Sequence, residues 1–257
     1  MHIARRAAVV ACVIFAGAIA GDLLQWLVPS HHLADAKSAI SMVQALITLL
    51  LAVVLGLLVW TSYGVYSQQQ SEAMTLGTQI LQLDLMLDRL GPENAACGRE
   101  RLREELMSAR KRFWGEGDGD APPLTYPQAR AELSRMGAFF DSLKPVTDEE
   151  RAAIESARAL LIAIVETHLL MGRQLRNPLP TPLINSVILW AMLLFCCIGT
   201  GATLNTLAFI VELLGAVAVA SAIFLILEFS QPYVGLFRIP SDVINQVIAA
   251  LGKKPIG

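Results

Sequence analysis

Five polar side chains interrupt the apolar stretches of this sequence, and they are the residues that could carry ion chemistry. Three of them are carboxylates, Asp22, Glu212 and Glu228, and two are amides, Gln44 and Asn185. Polar and ionisable residues are costly inside a lipid-facing segment, and they often mark an ion pathway or a partner contact. We therefore predict that these five residues are the candidate ion pathway.

Three of the five also have a structural interpretation. Asp22 lies near the end of its apolar run, where a carboxylate can reach the headgroups. Glu212 lies in the first turns of a helix predicted to start after Asn205, where the helix N-terminus favours an acid. Glu228 ends an apolar run, and an exposed ion pair with Arg238 there would contribute at most about 1 kcal/mol. The sequence leaves both interpretations open.

The composition indicates the environment in which these residues act. Hydrophobic residues make up 54% of the 257 residues, charged residues 16%, and the mean hydropathy is +0.54. A soluble domain carries about 25% charged residues. The net charge of −2 predicts no nucleic-acid partner. The chain is therefore predicted to be a membrane protein whose main partner is the lipid bilayer.

Four apolar runs are long enough to cross a bilayer as helices, each of about 20 residues. They are residues 7–28, 39–60, 183–204 and 206–229. The first two are separated by the short polar stretch Pro29–Ala36, which is predicted to be a loop, and the last two by little more than Asn205. A small-residue pattern at Ala18-Ile19-Ala20 also permits a cleaved signal peptide, but the apolar run continues past it, which favours a retained helix.

These runs predict an all-α membrane protein built from two transmembrane hairpins. Residues 1–63 form the first hairpin, residues 64–182 an inserted helical bundle, residues 183–229 the second hairpin, and residues 230–257 a polar tail. Within the bundle, apolar residues recur at threes and fours. This spacing predicts that the second span continues as one helix to Leu90, and that helices follow at 93–114, 127–143 and from 147 to about 176.

The fourth of these bundle helices has the clearest signals. Thr147 and Glu150 form a capping box at its start. Its buried stripe is predicted to include His168, which we expect to be a packed core residue and not a ligand. Glu116, Asp118 and Asp120 are predicted to lie in a solvated loop, because no glutamate completes a calcium-binding pattern.

No catalytic constellation is visible in the sequence. There is no phosphate-binding loop, no nucleophile elbow, and no cysteine or histidine spacing typical of a metal site. We therefore expect neither an enzyme nor a resident cofactor or metal.

The distribution of lysine and arginine predicts the orientation. Both termini and the helical bundle are expected on the cytoplasmic side, because basic residues cluster at those ends while the opposite loops carry only Lys37. The basic residues in question are Arg5, Arg6, Arg173, Arg176, Arg238, Lys253 and Lys254.

Small residues on two of the spans predict helix packing. Gly17 and Gly21 have the spacing that lets a neighbouring helix approach closely, and Gly215, Ala218 and Ala222 form a second small face. Because a unit of four helices lines a pore only by assembling, these surfaces are predicted to support a homo-oligomer.

The order of parts resembles a bacterial family of unknown function, the bestrophin-like membrane proteins. The resemblance covers nearly the whole chain and rests on these stretches: His31-His32-Leu33, Leu55-Gly56-Leu57-Leu58, Ile80-Leu81-Gln82-Leu83-Asp84, Gly91-Pro92-Glu93, and 222–228 running into Pro232-Tyr233 and Gly235. This chain departs from the family at Ser230-Gln231, and it has Tyr233 where phenylalanine is usual.

The family is named for a short likeness to true bestrophins, which are oligomeric ion channels with a glutamate and a Pro-Phe-Gly segment at the end of a membrane helix. Only Glu228, Pro232, Tyr233 and Gly235 carry that likeness here. The resemblance implies an oligomeric ion channel in the inner membrane of a bacterium. The alternative is a non-conducting scaffold or sensor whose helical bundle binds a partner.

Overall fold

The computed structural model describes residues 2–114, 125–175, 181–201, 205–233 and 235–251. The described residues form eight helices and no β-strand, as the all-α prediction requires. The helices are α1 (His2–Leu27), α2 (Ser30–Asp88), α3 (Pro92–Trp114), α4 (Tyr126–Ser142), α5 (Asp148–Leu175), α6 (Thr181–Gly199), α7 (Thr206–Phe229) and α8 (Asp242–Leu251). Predictions about Glu116, Asp118, Asp120, Arg176, Lys253, Lys254 and the side chains of His31 and His32 fall outside the described residues.

Four helices among the described residues are long and apolar enough to cross a membrane: α1, α2, α6 and α7. The prediction for α7 is confirmed at both ends, because it runs from Thr206 to Phe229. Asn205 caps it, and its side chain accepts a hydrogen bond from the Ala208 amide at 2.7 Å. The prediction that α2 continues beyond its apolar part is also confirmed, since it ends only at Asp88.

Two predicted connections were wrong. The expected loop at Pro29–Ala36 is helical from Ser30 onward, because residues 30–36 contain no glycine or proline that would interrupt a helix. The third span was expected to reach residue 204, but α6 ends at Gly199. Thr200 lies between two glycines, and both residue types weaken a helix.

The chain divides into two compact units, residues 1–65 with 179–230 and residues 66–178 with 231–257. In the first unit, α1 packs against α6 and α7. A Cβ at Gly17 would lie 2.5 Å from the Met192 carbonyl oxygen of α6. A Cβ at Gly21 would lie even closer to the Cys196 carbonyl oxygen of the same helix. The Gly17/Gly21 surface is therefore filled within the chain, so it is not a free surface for assembly as the sequence had indicated.

The second unit is a helical bundle around one apolar core. The core includes the stripe Leu76, Ile80, Leu83 and Leu87 of α2 together with residues of α3, α4, α5 and α8. His168 is buried on α5 as predicted, and it stacks on the buried Phe113 of α3 with ring centroids 6.1 Å apart. The capping box forms, with the Glu150 amide donating to Thr147 Oγ1 at 3.1 Å.

The C-terminal residues correct the prediction of a polar tail. Residues 242–251 form α8, which packs against α3. Ile244, Val247 and Leu251 of this helix are buried in the core of the second unit, as is Ile239 before it. Apolar residues spaced by three and four give α8 one face for the core, although the polar residues between them lower its average hydropathy.

Candidate ion pathway and C-terminal motif

The membrane part of α2 is the most open of the four apolar helices. Only 11% of its most apolar stretch is buried in the chain, compared with 28% for α1, α6 and α7. Along it run Gln44, Thr48, Ala52 and Gly56 at intervals of four residues, which places them on one face of the helix. A Cβ at Gly56 would meet nothing within 4 Å. This small and polar stripe is called the α2 stripe below.

The carboxylate of Glu212 lies inside the first unit and not on an outer face. Its residue is 5% exposed, and Oε1 has no hydrogen-bond partner among the described residues. Asp22, another predicted carboxylate of the first unit's helices, is half-buried on α1. Glu212 lies about two turns after the cap at Asn205, beyond the first turn in which a helix N-terminus acts.

Asn185 is exposed on α6 and lies on a cleft of about 340 Å³ in the first unit. The cleft is formed where α1 and α6 begin and where α7 ends. Arg5 and Arg6 of α1 share its lining with Asn185. The structure therefore brings Asn185 together with two cations, a grouping that the sequence did not predict.

Glu228 lies in the last turn of α7 and is 3% exposed, while Arg238 is exposed. The expectation that Glu228 is exposed at the end of its span is therefore wrong. Ile223 and Ile226, which lie on the other side of the helix, are each 1% exposed, so the last turns of α7 are packed on more than one side. A carboxylate buried in this way lies inside the protomer and does not line one of its exposed surfaces.

The residues that follow Glu228 in the C-terminal motif form a compact turn. Pro232 and Tyr233 are buried, and Gly235 has a φ of 105°, a conformation that side chains other than glycine rarely adopt. The Ile239 amide closes the turn by donating to the Pro232 carbonyl at 2.7 Å. The motif thus directs the chain from the end of α7 towards α8.

Tyr233 fixes this turn to the core of the second unit. Its hydroxyl donates to Gln69 Oε1 at 2.8 Å, and its ring contacts Phe113 and Trp114 at centroid distances of 5.4 and 5.0 Å. The Trp114 indole donates to the Ile239 carbonyl at 2.9 Å. Burial, together with the charge of Glu72, raises the pKa of the Tyr233 phenol far above its usual range.

Gln69 is a central residue that the sequence reasoning missed. It is fully buried, and besides Tyr233 it contacts the Met171 carbonyl at 3.3 Å and the Gln174 side chain. Gln174 in turn donates to Glu72 at 2.7 Å. The spacing could have indicated its burial, because Gln69 lies one turn before Ala73 and Leu76, on the side of α2 that is buried in the second unit.

Another stretch that carried the family resemblance has a structural role. Arg99 of α3 donates to Asp84 at 2.5 Å and to Asp88 at 2.6 Å, and the hydrogen bond to Asp84 raises the pKa of the guanidinium. Gly91, with a φ of 83°, forms the turn between α2 and α3. These residues fasten one helical hairpin of the second unit.

The chain belongs to the bestrophin-like family. Residues 10–244 match the Bestrophin-like domain, which spans all four apolar helices and the C-terminal motif. No curated protein matches the chain.

Solved structures show the same fold. A membrane protein with a proline-to-alanine substitution matches with a TM-score of 0.67 at 14% identity, covering 96% of this chain and 97% of its own. A bacterial bestrophin homologue from Klebsiella pneumoniae with a leucine-to-threonine substitution matches with a TM-score of 0.65 at 16% identity, covering 98% of each chain. At these identities the likeness concerns the fold alone.

Proposed function

We propose that this protein forms an oligomeric ion pathway and that the α2 stripe of each protomer lines it. The observation that carries the proposal is the openness of α2, whose membrane part is left mostly uncovered while α1, α6 and α7 pack together. Family membership supports it, because the resemblance to true bestrophins implies an oligomeric ion channel.

The chemistry of the α2 stripe fits a pathway at an oligomer axis. Small residues such as Ala52 and Gly56 allow helices of neighbouring protomers to approach closely. Gln44 offers a side-chain amide. The Thr48 hydroxyl donates to the backbone carbonyl of Gln44 at 2.7 Å. A pore lined by neutral polar and small groups selects weakly by charge. Gln44 is therefore the pathway residue that we retain from the five predicted.

The arrangement in the bacterial inner membrane follows from the charges. Four spans in two hairpins place both termini and the second unit in the cytoplasm, since Arg5, Arg6 and Arg238 lie at that side. Ala218, exposed on α7, and Ala222 beside it offer a second small face for assembly, while Gly215 is already covered by Phe195 of α6.

A non-conducting scaffold is the second candidate, and one observation favours it. Glu212 and Glu228 are buried inside the protomer, and the C-terminal motif serves internal packing. The part of the sequence that most resembles bestrophins is thus used to hold the protein together, as a scaffold also requires.

Reconstitution separates the two candidates. We expect liposomes that contain the purified protein to show a larger ion flux than protein-free liposomes. Fluxes of anions and cations are assayed separately. Gln44→Leu removes the only amide of the α2 stripe and should reduce that flux, whereas Leu46→Ala on the same helix should not. Flux equal to that of empty liposomes from an oligomeric preparation would favour the scaffold.

A further inference from the structure

The cleft that holds Asn185 has features of a ligand site that ion conduction does not require. Its 340 Å³ lies within the range of small-molecule sites, about 300–1,000 Å³. It is enclosed by three helices of the first unit, α1, α6 and α7. Because these helices are apolar enough to cross a membrane, the cleft lies at one end of the bilayer-spanning part.

The two ends of the cleft differ in character. The mouth carries the guanidinium groups of Arg5 and Arg6 and the polar group of Thr181, and Asn185 follows one turn later on α6. The rest of the lining is apolar, with Val9 and Val10 one turn after the arginines on α1, Ile184 and Ile188 on α6, and Ile223 and Leu227 on α7. The cleft is thus amphipathic along the direction in which a lipid molecule lies.

The positive charge at the mouth has no neutralising partner in the part of the chain that the structure describes. Within the described residues, neither Arg5 nor Arg6 forms an ion pair or a side-chain hydrogen bond, and both are exposed. Guanidinium groups match phosphate oxygens in charge and geometry and bind them with two parallel hydrogen bonds. Two adjacent arginines therefore provide a site for one anionic phosphate group.

We propose that this cleft binds one anionic phospholipid, with its phosphate on Arg5 and Arg6 and an acyl chain along the apolar walls. Asn185 and Thr181 lie where they can hydrogen-bond the glycerol and ester oxygens. A free inorganic anion would use only the mouth and would leave the partly exposed apolar walls, such as Val9, against water, which is unfavourable. Basic sites between membrane helices are suited to anionic headgroups for this reason. The inference holds whether or not the protein conducts.

Lipid titration of the full-length protein in detergent, followed by native mass spectrometry, tests the proposal. The probes are phosphatidylglycerol, phosphatidylcholine, and glycerol phosphate, which has the headgroup without the chains. We expect a single tight phosphatidylglycerol site. Arg5→Gln/Arg6→Gln should weaken it about thirtyfold, since each of the two basic residues contributes about 1 kcal/mol near a membrane surface. Arg110→Gln/Lys111→Gln, an adjacent exposed basic pair on α3, is the matched control and should leave it unchanged.

A second variant tests the apolar part separately. Val9 is 56% exposed, so Val9→Trp narrows the cleft without disturbing the core or either charge. It should weaken phosphatidylglycerol binding while circular dichroism stays helical. Equal loss in the Arg110/Lys111 control would indicate general charge attraction and overturn the site. Glycerol phosphate binding as tightly as the lipid would indicate a free-anion site, and unchanged binding in Val9→Trp would also overturn the proposal.

Discussion

Tyr233 carries a buried hydroxyl, and the second unit contains a hydrogen-bond partner for it. Gln69 accepts from this hydroxyl in a fully buried position. Removing one partner of a buried hydrogen bond leaves the other unsatisfied, at a cost of about 1–3 kcal/mol. We expect Tyr233→Phe to lower the melting temperature measured by circular dichroism, and Tyr126→Phe, at an exposed tyrosine, to leave it unchanged.

The same substitution has a pH signature. Because the folded pKa of Tyr233 is raised, the unfolded chain loses this proton more readily above its ordinary pKa of about 10. The protonated phenol's contribution is complete below that pH and is lost as the pH rises further. The stability gap between wild type and Tyr233→Phe should therefore shrink above about pH 10. A gap that widens there would contradict the buried, protonated phenol.

Gln44 and Glu228 distinguish an open pathway from a buried carboxylate. Gln44→Glu adds a charge to the α2 stripe and should shift the reversal potential of reconstituted protein towards cation selectivity. Glu228→Gln removes a charge that the protomer buries, so the reversal potential should stay the same. If Glu228→Gln alone changes selectivity, the pathway passes the end of α7 and not the α2 stripe.

At the level of helices, the sequence predicted an element correctly wherever a strong local pattern marked it. The buried stripe of α2, the capping box of α5 and the cap at Asn205 each predicted an element that the structure contains. The sequence did not predict features that depend on tertiary packing. The partner of Gly17 and Gly21, the burial of Glu228 and the core contacts of α8 depend on residues distant in the sequence, and local spacing carries no information about them.

The contact between α1 and α6 gives a prediction for these glycines. Gly17→Ala and Gly21→Ala each place a methyl group against backbone atoms of α6. Neither helix can move away without disturbing the packing of its other residues. Overpacking of this kind costs about 1–3 kcal/mol. We expect both variants to lower the melting temperature of the detergent-solubilised protein.

Gly64→Ala on α2 is the control, since its added methyl group would meet nothing within 4 Å. It should leave the melting temperature unchanged or raise it slightly, because alanine favours a helix by up to about 1 kcal/mol over glycine. Equal behaviour of all three variants would show that the tight α1–α6 contact does not form.

At the scale of the molecule, the orientation is testable without any assumption about conduction. In a cysteine-free background, Ser30→Cys at the start of α2 should react with a membrane-impermeant maleimide in intact cells. Arg5→Cys at the start of α1 should react only after permeabilisation, because the basic end is expected inside. The reverse pattern would invert the topology and place the second unit outside the cytoplasm.

If the α2 stripe lines an ion pathway, modification of a cysteine placed on the stripe should block the flux of ions. Thr48→Cys and Leu50→Cys, both exposed in the protomer, point to opposite sides of α2, since successive residues turn by about 100°. Each variant, again in a cysteine-free background, is reconstituted into liposomes and treated with a charged methanethiosulfonate reagent. We expect the flux to be blocked in Thr48→Cys and to persist in Leu50→Cys. Block in Leu50→Cys with none in Thr48→Cys, or no flux at all from an oligomeric preparation, would contradict this expectation.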